Sequence, residues 1–271
     1  MRSRCTVVGL GRCGTESALV LAQQPHFSPE RTRALLLVSA PIFDVHFGDI
    51  NVKPRTLSVR TSTGDVSVNN IEADASDIRV DTGSIRGNFI VTESLTLRTA
   101  TGSIIANVSM LSSTTFPQQP PTVASIKTNT GSIDTRFSLF AIDSKNNAQV
   151  SSGGFFDVDA RSDASSIRVR FDDAPVDSTL VLTSKTSTGP INVDPHPTYE
   201  GAFSLSSDVS SPVVSVKDDV EDPAGKDRKR TVKFIHTRNR AMVGEVVWGN
   251  AHVDGSRVDL KSDAGTPRLS I

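Results

Sequence analysis

The sequence predicts an all-β chain wound as a parallel β-solenoid, with a repeat of about 19 residues and an irregular N-terminal extension. Three observations predict it. A short motif, T-x-T-G-S-I, recurs along the chain. Its glycines are regularly spaced. Apolar and polar residues alternate on either side of it, which is the period of a strand with one buried face.

The motif reads Thr61-Ser62-Thr63-Gly64-Asp65-Val66, then Asp81-Thr82-Gly83-Ser84-Ile85, then Thr99-Ala100-Thr101-Gly102-Ser103-Ile104. It returns as Thr128-Asn129-Thr130-Gly131-Ser132-Ile133 and Thr186-Ser187-Thr188-Gly189-Pro190-Ile191, with a degenerate copy at Ser262-Asp263-Ala264-Gly265-Thr266-Pro267. Gly64, Gly83 and Gly102 follow one another at intervals of 19 residues, and Gly131 comes 29 later. The surplus is an insertion around Ser112–Thr122, marked by Pro117, Pro120 and Pro121. Gly189 and Gly265 are separated by four such periods.

Leu57 and Val59 precede Gly64, and Val66 and Val68 follow it. Leu95 and Leu97 stand before Gly102 in the same way, with Ile104, Ala106 and Val108 after it. Glycine permits a tight bend between short strands, and the hydroxyls beside it can bond the backbone at the corner. One period holds too little apolar surface to fold alone, so neighbours must stack. An antiparallel sandwich would also space short strands evenly. The recurrence of the turn motif itself favours the parallel coil.

Composition agrees with thin layers rather than a thick core. The hydrophobic share is 37% and the aromatic share 5%. The net charge of −1 carries no basic excess, so a nucleic-acid partner is not expected. Cys5 and Cys13 lie together near the N-terminus, so a disulfide framework is not expected. The apolar run Ala34–Val38 is too short for a membrane span and reads as a buried strand. Arg12 and Glu16 interrupt the first apolar stretch, which fits a secretory signal poorly. Residues 1–39 are therefore read as the extension and 40–271 as the solenoid domain. Within the domain, Asp218–Arg230 reads as a charged, solvated and mobile loop, and Thr231–Ile235 and Met242–Trp248 as further strands.

Candidate chemistry is sparse. Gly9-x-Gly11-x-x-Gly14 has the spacing of a dinucleotide-binding turn. The strand after it ends in Ser39-Ala40-Pro41 with no acidic residue for a ribose, and no further βαβ unit follows. His26, His46, His196, His236 and His252 show no metal-ligand spacing, so no metal and no cofactor are expected. Asp157 and Asp159 alternate with Phe156 and Val158, as an outward strand face would. Asp172-Asp173 is the other acidic pair, though neighbours in a strand point apart. Asn107-Val108-Ser109 fits the N-glycosylation pattern, which matters only in the secretory route. Trp248 is the only tryptophan; it reads as an end cap, with a sugar-stacking platform as the alternative.

The T-x-T-G-S-I repeats, the Ser39-Ala40-Pro41-Ile42 segment and the Gly244–Gly249 block together resemble the adhesin domain family. These are β-solenoid domains without an assigned function, found in bacteria and fungi. The resemblance covers roughly residues 40–271. It implies a surface or secreted setting and a cell-surface protein or glycan as partner, and it implies no catalytic residue. Fungal relatives often carry a transmembrane helix ahead of the solenoid, which this sequence does not show. The expectation is a non-enzymatic interaction module. A polysaccharide lyase or hydrolase on a parallel β-helix is the alternative, and it would need an acidic cluster beside Arg or Lys. A nucleotide-dependent protein relying on Gly9–Gly14 is a third.

Overall fold

The computed structural model describes residues 17–19, 35–49, 53–114, 120–143, 148–218, 220–249 and 255–271. Among them there are twenty strands and no helix, and strand makes up 68%. The chain is all-β, with a mostly parallel sheet of many strands.

In chain order the strands are β1 Ser17–Leu19, β2 Leu35–Ser39, β3 Asp44–Asp49, β4 Thr56–Thr63, β5 Val66–Thr82, β6 Ile85–Thr101 and β7 Ile104–Ser113. Next come β8 Thr122–Thr130, β9 Ile133–Ile142, β10 Gln149–Val150, β11 Phe155–Ser162, β12 Ile167–Asp173, β13 Thr179–Thr186 and β14 Ile191–Asp194. The last are β15 Gly201–Ser207, β16 Val213–Ser215, β17 Arg230–Arg238, β18 Ala241–Trp248, β19 Arg257–Ser262 and β20 Pro267–Ser270.

Two parallel series run through this sheet. Ladder A is ordered β2, β4, β5, β6, β8, β11, β13, β19, β15. Ladder B is ordered β1, β3, β5, β6, β7, β9, β12, β14, β20, β16. Strands β5 and β6 are 17 residues long and serve both, the first half in ladder B and the second in ladder A. Period-two alternation sends one face of each ladder inward. In ladder B the inward residues after the corners are Val66, Ile85, Ile104, Ile133, Ile167 and Ile191, all buried and in register. Inward residues of both ladders join one core, and within it Phe137 stacks on Phe171 at 5.3 Å between centroids.

The glycines of the motif lie at the corners between the ladders, one against the next. A Cβ placed on Gly83 would sit 2.1 Å from the Gly64 carbonyl oxygen. On Gly102 it would sit 2.1 Å from that of Gly83, and on Gly131 2.0 Å from that of Gly102. Gly83 and Gly102 also have φ of 144° and 145°, a region L side chains rarely adopt. The first threonine of the motif points inward and bonds back across the corner. Thr99 donates to the Gly83 carbonyl at 2.8 Å, Thr128 to that of Gly102 at 3.0 Å, and Ser262 to that of Gly189 at 2.9 Å. Three corners among the described residues lack glycine: Phe43 occupies the place against Gly64, and its carbonyl accepts from Thr61 at 3.4 Å. Ser165 occupies that place between Gly131 and Gly189, where Ser162 donates to the Gly131 carbonyl at 3.1 Å and Thr186 to the Ser165 carbonyl at 2.9 Å. Ser210 lies against Gly265, to whose carbonyl it donates at 2.7 Å.

One spacing reads differently in three dimensions. Gly265 rests directly on Gly189, so the four periods between them do not stack in sequence order. The C-terminal pair is inserted instead: β19 lies between β13 and β15, and β20 between β14 and β16. Beyond β15 the sheet turns antiparallel, with β18 on β15 and β17 on β18. Strand β17 is exposed, bulged between Phe234 and His236, and carries Lys233 and Arg238. Charges and a bulge are ordinary protections of a strand edge. The apolar run before residue 40 is a strand, but one-sided: Leu36 and Val38 are buried while Leu35 and Leu37 are exposed.

The corners yield a stability prediction. Gly102→Ala is expected to cost about 3 kcal/mol or more, because backbone strain and a backbone clash act together. Thr99→Val keeps the shape but orphans the Gly83 carbonyl, at about 1–3 kcal/mol. Urea unfolding of both variants checks the ranking; equal midpoints for Gly102→Ala and the parent would contradict it.

Candidate functional site: a line of cations on ladder A

The residue four places before each corner glycine follows from the same alternation. It sits next to an inward residue, Thr61, Val80, Thr99, Thr128, Thr186 or Ser262, so it must point outward. In this chain that place is basic: Arg60, Arg79, Arg98, Lys127, Lys185 and Lys261 precede Gly64, Gly83, Gly102, Gly131, Gly189 and Gly265. Arg161 holds the same place before Ser165. The register sets them side by side: Arg60 beside Arg79, Arg79 beside Arg98, Arg98 beside Lys127, Lys127 beside Arg161, Arg161 beside Lys185, and Lys185 beside Lys261. Seven cations on seven adjacent strands form one column with a step of ~4.8 Å. Lys127 is half-buried and the other six are exposed. Past Ser206 and Ala241 the same line reaches Arg238 on the edge strand.

Like charges at this spacing repel, and carboxylates relieve part of it. Asp77 takes Arg79 at 3.0 Å. Asp159 takes Arg161 at 2.7 Å and Lys127 at 3.2 Å, and Asp263 lies 3.8 Å from Lys261. Burial, and then the charge of Asp159, pushes the Asp157 carboxyl above its usual value. Arg60, Arg98 and Lys185 have no ion pair among the described residues. The columns beside the line mix small polar groups with carboxylates: Ser58, Asp77, Thr96, Ser125, Asp159, Thr183 and Asp259 on one side, and Ser62, Asp81, Asn129, Asp163, Ser187 and Asp263 among those on the other. The face thus offers a column of cations bordered by six carboxylates and by hydroxyl and amide groups, a mixed charged and hydrogen-bonding surface with little net charge.

Other candidates fall elsewhere. The Gly9–Gly14 turn, Cys5, Cys13, His26 and His252 lie outside the described residues. His46, His196 and His236 stay apart, and no group of three His, Cys, Asp or Glu able to hold a metal occurs among the described residues. His196 faces a small cleft lined by Leu139, Phe171 and Tyr199, and burial lowers its pKa. The two acids of the Asp172-Asp173 pair are taken up separately, Asp172 by Arg136 at 3.8 Å and Asp173 by the Ser138 hydroxyl at 3.0 Å. Asn107 is exposed on ladder B, and its amide donates to Asn88 at 2.8 Å. A shallow groove on ladder B is lined by Ser132, Asp134, Ser166, Arg168, Pro190 and Asn192, with Asp134 its one carboxylate. No helix of the described residues is long and apolar enough to cross a membrane.

Trp248 is not a sugar platform. It is 1% exposed, its indole N–H donates to the Pro197 carbonyl at 3.1 Å, and Arg228 and Arg230 lie over the ring at 5.8 and 5.9 Å. The charged stretch at 218–230 is likewise knit rather than merely solvated. Asp222 accepts from the backbone N–H of Ala224, Lys226 and Arg228, each at 3.0 Å, and pairs with the Arg228 side chain at 2.9 Å. Arg228 also reaches Glu200 at 2.9 Å. Local composition hid this, because Glu200 lies far back in the sequence.

No family model matches this chain, and no curated protein or solved structure is significantly similar to it.

The Asp222 cluster makes a pH prediction. The Arg228 side chain, and then the backbone N–H groups, hold the Asp222 carboxyl well below the usual carboxylate range. A depressed carboxylate pKa gives stability that is present at neutral pH and lost as pH falls through the lowered value. Emission of the sole tryptophan, under Arg228, should therefore stay constant down to about pH 4, near the ordinary Asp value, and shift only in stronger acid. Asp222→Asn should shift it already at neutral pH. Identical emission from parent and variant across the titration would refute the assignment.

Proposed function

We propose that the chain is a β-solenoid interaction module of the adhesin-like kind, without catalytic activity. Its working surface is the outer face of ladder A. The observation that carries this is the line of seven basic residues, in register on neighbouring strands and one residue from the column that builds the core. Successive corner contacts, from Gly64 to Gly131, support the coiled reading of the ladders. The motif resemblance to the adhesin domains agrees with it, and with a partner that is a surface glycan or protein.

The carbohydrate-active enzyme is the second reading, because a groove with an acid and a base exists on ladder B. Glycoside hydrolysis needs two carboxylates roughly 5–10 Å apart across the bond to be cut. Asp134 stands alone there, held between Arg168 at 4.0 Å and Arg170 at 3.7 Å. That favours binding over turnover.

A glycan array probed with the purified chain tests the proposal. The expected outcome is retention of one class of ligand, recovered afterwards at unchanged length. Shortened or unsaturated products would establish the enzyme instead. Retention of nothing across a broad array would count against an interaction module.

A further inference from the structure

The two ladders do not end together. Ladder B stops at β16, on the rung of β15, whereas ladder A continues through β18 to β17. Among the described residues β17 is paired on one side only. We infer that this edge receives an extended segment of another protein in which acidic and apolar residues alternate, added to ladder A as one more strand. The edge is a different surface from the outer face of ladder A and binds independently of it.

The backbone is positioned for such an addition. Gly249 donates to the Lys229 carbonyl at 2.9 Å, which makes these two a hydrogen-bonded pair of the antiparallel ladder. Such pairs alternate with non-bonded ones. Thr231 and Lys233 therefore bond Val247 and Glu245, while Arg230, Val232 and Phe234 turn their N–H groups to the free side. The far side of β18 agrees. There Ser207 donates to the Arg240 carbonyl at 3.0 Å, so the same alternation commits Gly244 and Val246 to β15. A segment laid along β17 meets a row of open donors, the usual basis of strand addition.

Side chains select what is added. Strand β17 carries Arg230, Lys233, His236 and Arg238 and no carboxylate, with Lys229 and Arg240 close to its ends. Alternation sends Lys229 and Lys233 outward. A bulge between Phe234 and His236 interrupts the row, and Arg238 resumes the outward charge beyond it. The nearby carboxylates stand on other segments. Glu245 takes Lys233 at 3.0 Å, Asp222 and Glu200 hold Arg228, and Asp208 follows the residue that bonds Arg240. Arg238 and Arg240 have no ion pair among the described residues. Strand neighbours act mainly on the residues directly opposite, so an added strand faces cations alone on its outer side. On the inner side Val232 is half-buried, and Phe234 is 49% exposed although its ring meets Phe203 edge-on at 5.9 Å. No ladder B strand stands opposite them among the described residues. Apolar side chains of the added strand would cover Phe234 there.

A second copy of the chain fits less well. Two β17 strands side by side set Lys233, His236 and Arg238 against the same cations, and like charges directly opposite destabilise a pair. The charge that shields this edge from its own kind attracts an acidic strand.

A labelled nonapeptide alternating glutamate and valine, titrated into the full chain at low salt, tests this. Saturable binding is expected. Amide exchange at Arg230, Val232 and Phe234 should slow by about tenfold or more, while Thr231 and Lys233, already bonded within the sheet, change little. The same peptide methylated on every second backbone nitrogen, along the edge that meets β17, should lose about tenfold or more in affinity. The variant K229Q/K233Q/R238Q should bind about fivefold more weakly. Its unfolding midpoint should be unchanged, because all three side chains are exposed. A lysine–valine peptide of the same pattern should not bind. Equal binding of the lysine or the methylated peptide, equal affinity of the variant, or unchanged exchange at Val232 and Phe234 would each overturn the inference. So would no binding at millimolar peptide. Protection of these amides in the chain alone, growing with its concentration, would assign the edge to a second copy and overturn it as well. Glycan retention reads a different face and is untouched by any of these outcomes.

Discussion

Close backbone contact at the corners is the constraint on which the rest depends. Each corner lies so near the one before it that Gly83, Gly102 and Gly131 have no room for a Cβ. An inward hydroxyl then ties a strand to the preceding corner, as Thr99 does to Gly83 and Thr128 to Gly102. A slip of one residue would turn every buried side chain outward and would also place a side chain on a neighbouring carbonyl. Register is thus fixed twice, by the apolar alternation and by the corner. Fixed register converts a linear sequence position into a column on the surface. The cations owe their alignment to this, since each is only one residue from the inward column that carries Thr61, Val80, Thr99, Thr128, Ser162, Thr186 and Ser262.

The end of the sheet is managed differently from its middle. The C-terminal strands enter between pairs formed earlier in the chain, so β19 is flanked on both sides and Ile271 is buried. The antiparallel hairpin of β17 and β18 then extends ladder A, and its outermost strand carries charge and a bulge. Trp248 closes that end from within, under Arg228, Arg230 and the turn at Pro197. These features share one physical purpose. A parallel ladder leaves unpaired backbone groups at each end, and something must cover them or make them unattractive to another strand.

Much of this was legible in the residues. The glycine corners and the period-two alternation pointed to stacked strands, and Asp157 and Asp159 do face outward beside buried Phe156 and Val158. What escaped has physical reasons. Ser165 and Ser210 make corners without glycine, so a motif anchored on glycine passes over them. The insertion of β19 and β20 is a non-local event that spacing cannot reveal. The cation line was present in the sequence, but only alignment on the corners exposes it, and a net charge near zero concealed it. The loop around Asp222 was misread because its ordering partners, Glu200 and Trp248, lie outside it.

Proximity of Lys185 and Lys261 is the sharpest measure of the account, because it depends on corner register and C-terminal insertion together. Both residues become cysteine in a chain whose Cys5 and Cys13 are serine, and a short bis-thiol reagent that spans adjacent strands, such as dibromobimane, is added. Efficient fluorescent cross-linking of K185C/K261C, with none for K185C/S206C two strands away, is the predicted result. Cross-linking of positions 185 and 206 in place of 185 and 261 would show that the C-terminal strands do not enter the ladder, and the continuous line of cations would be lost with them.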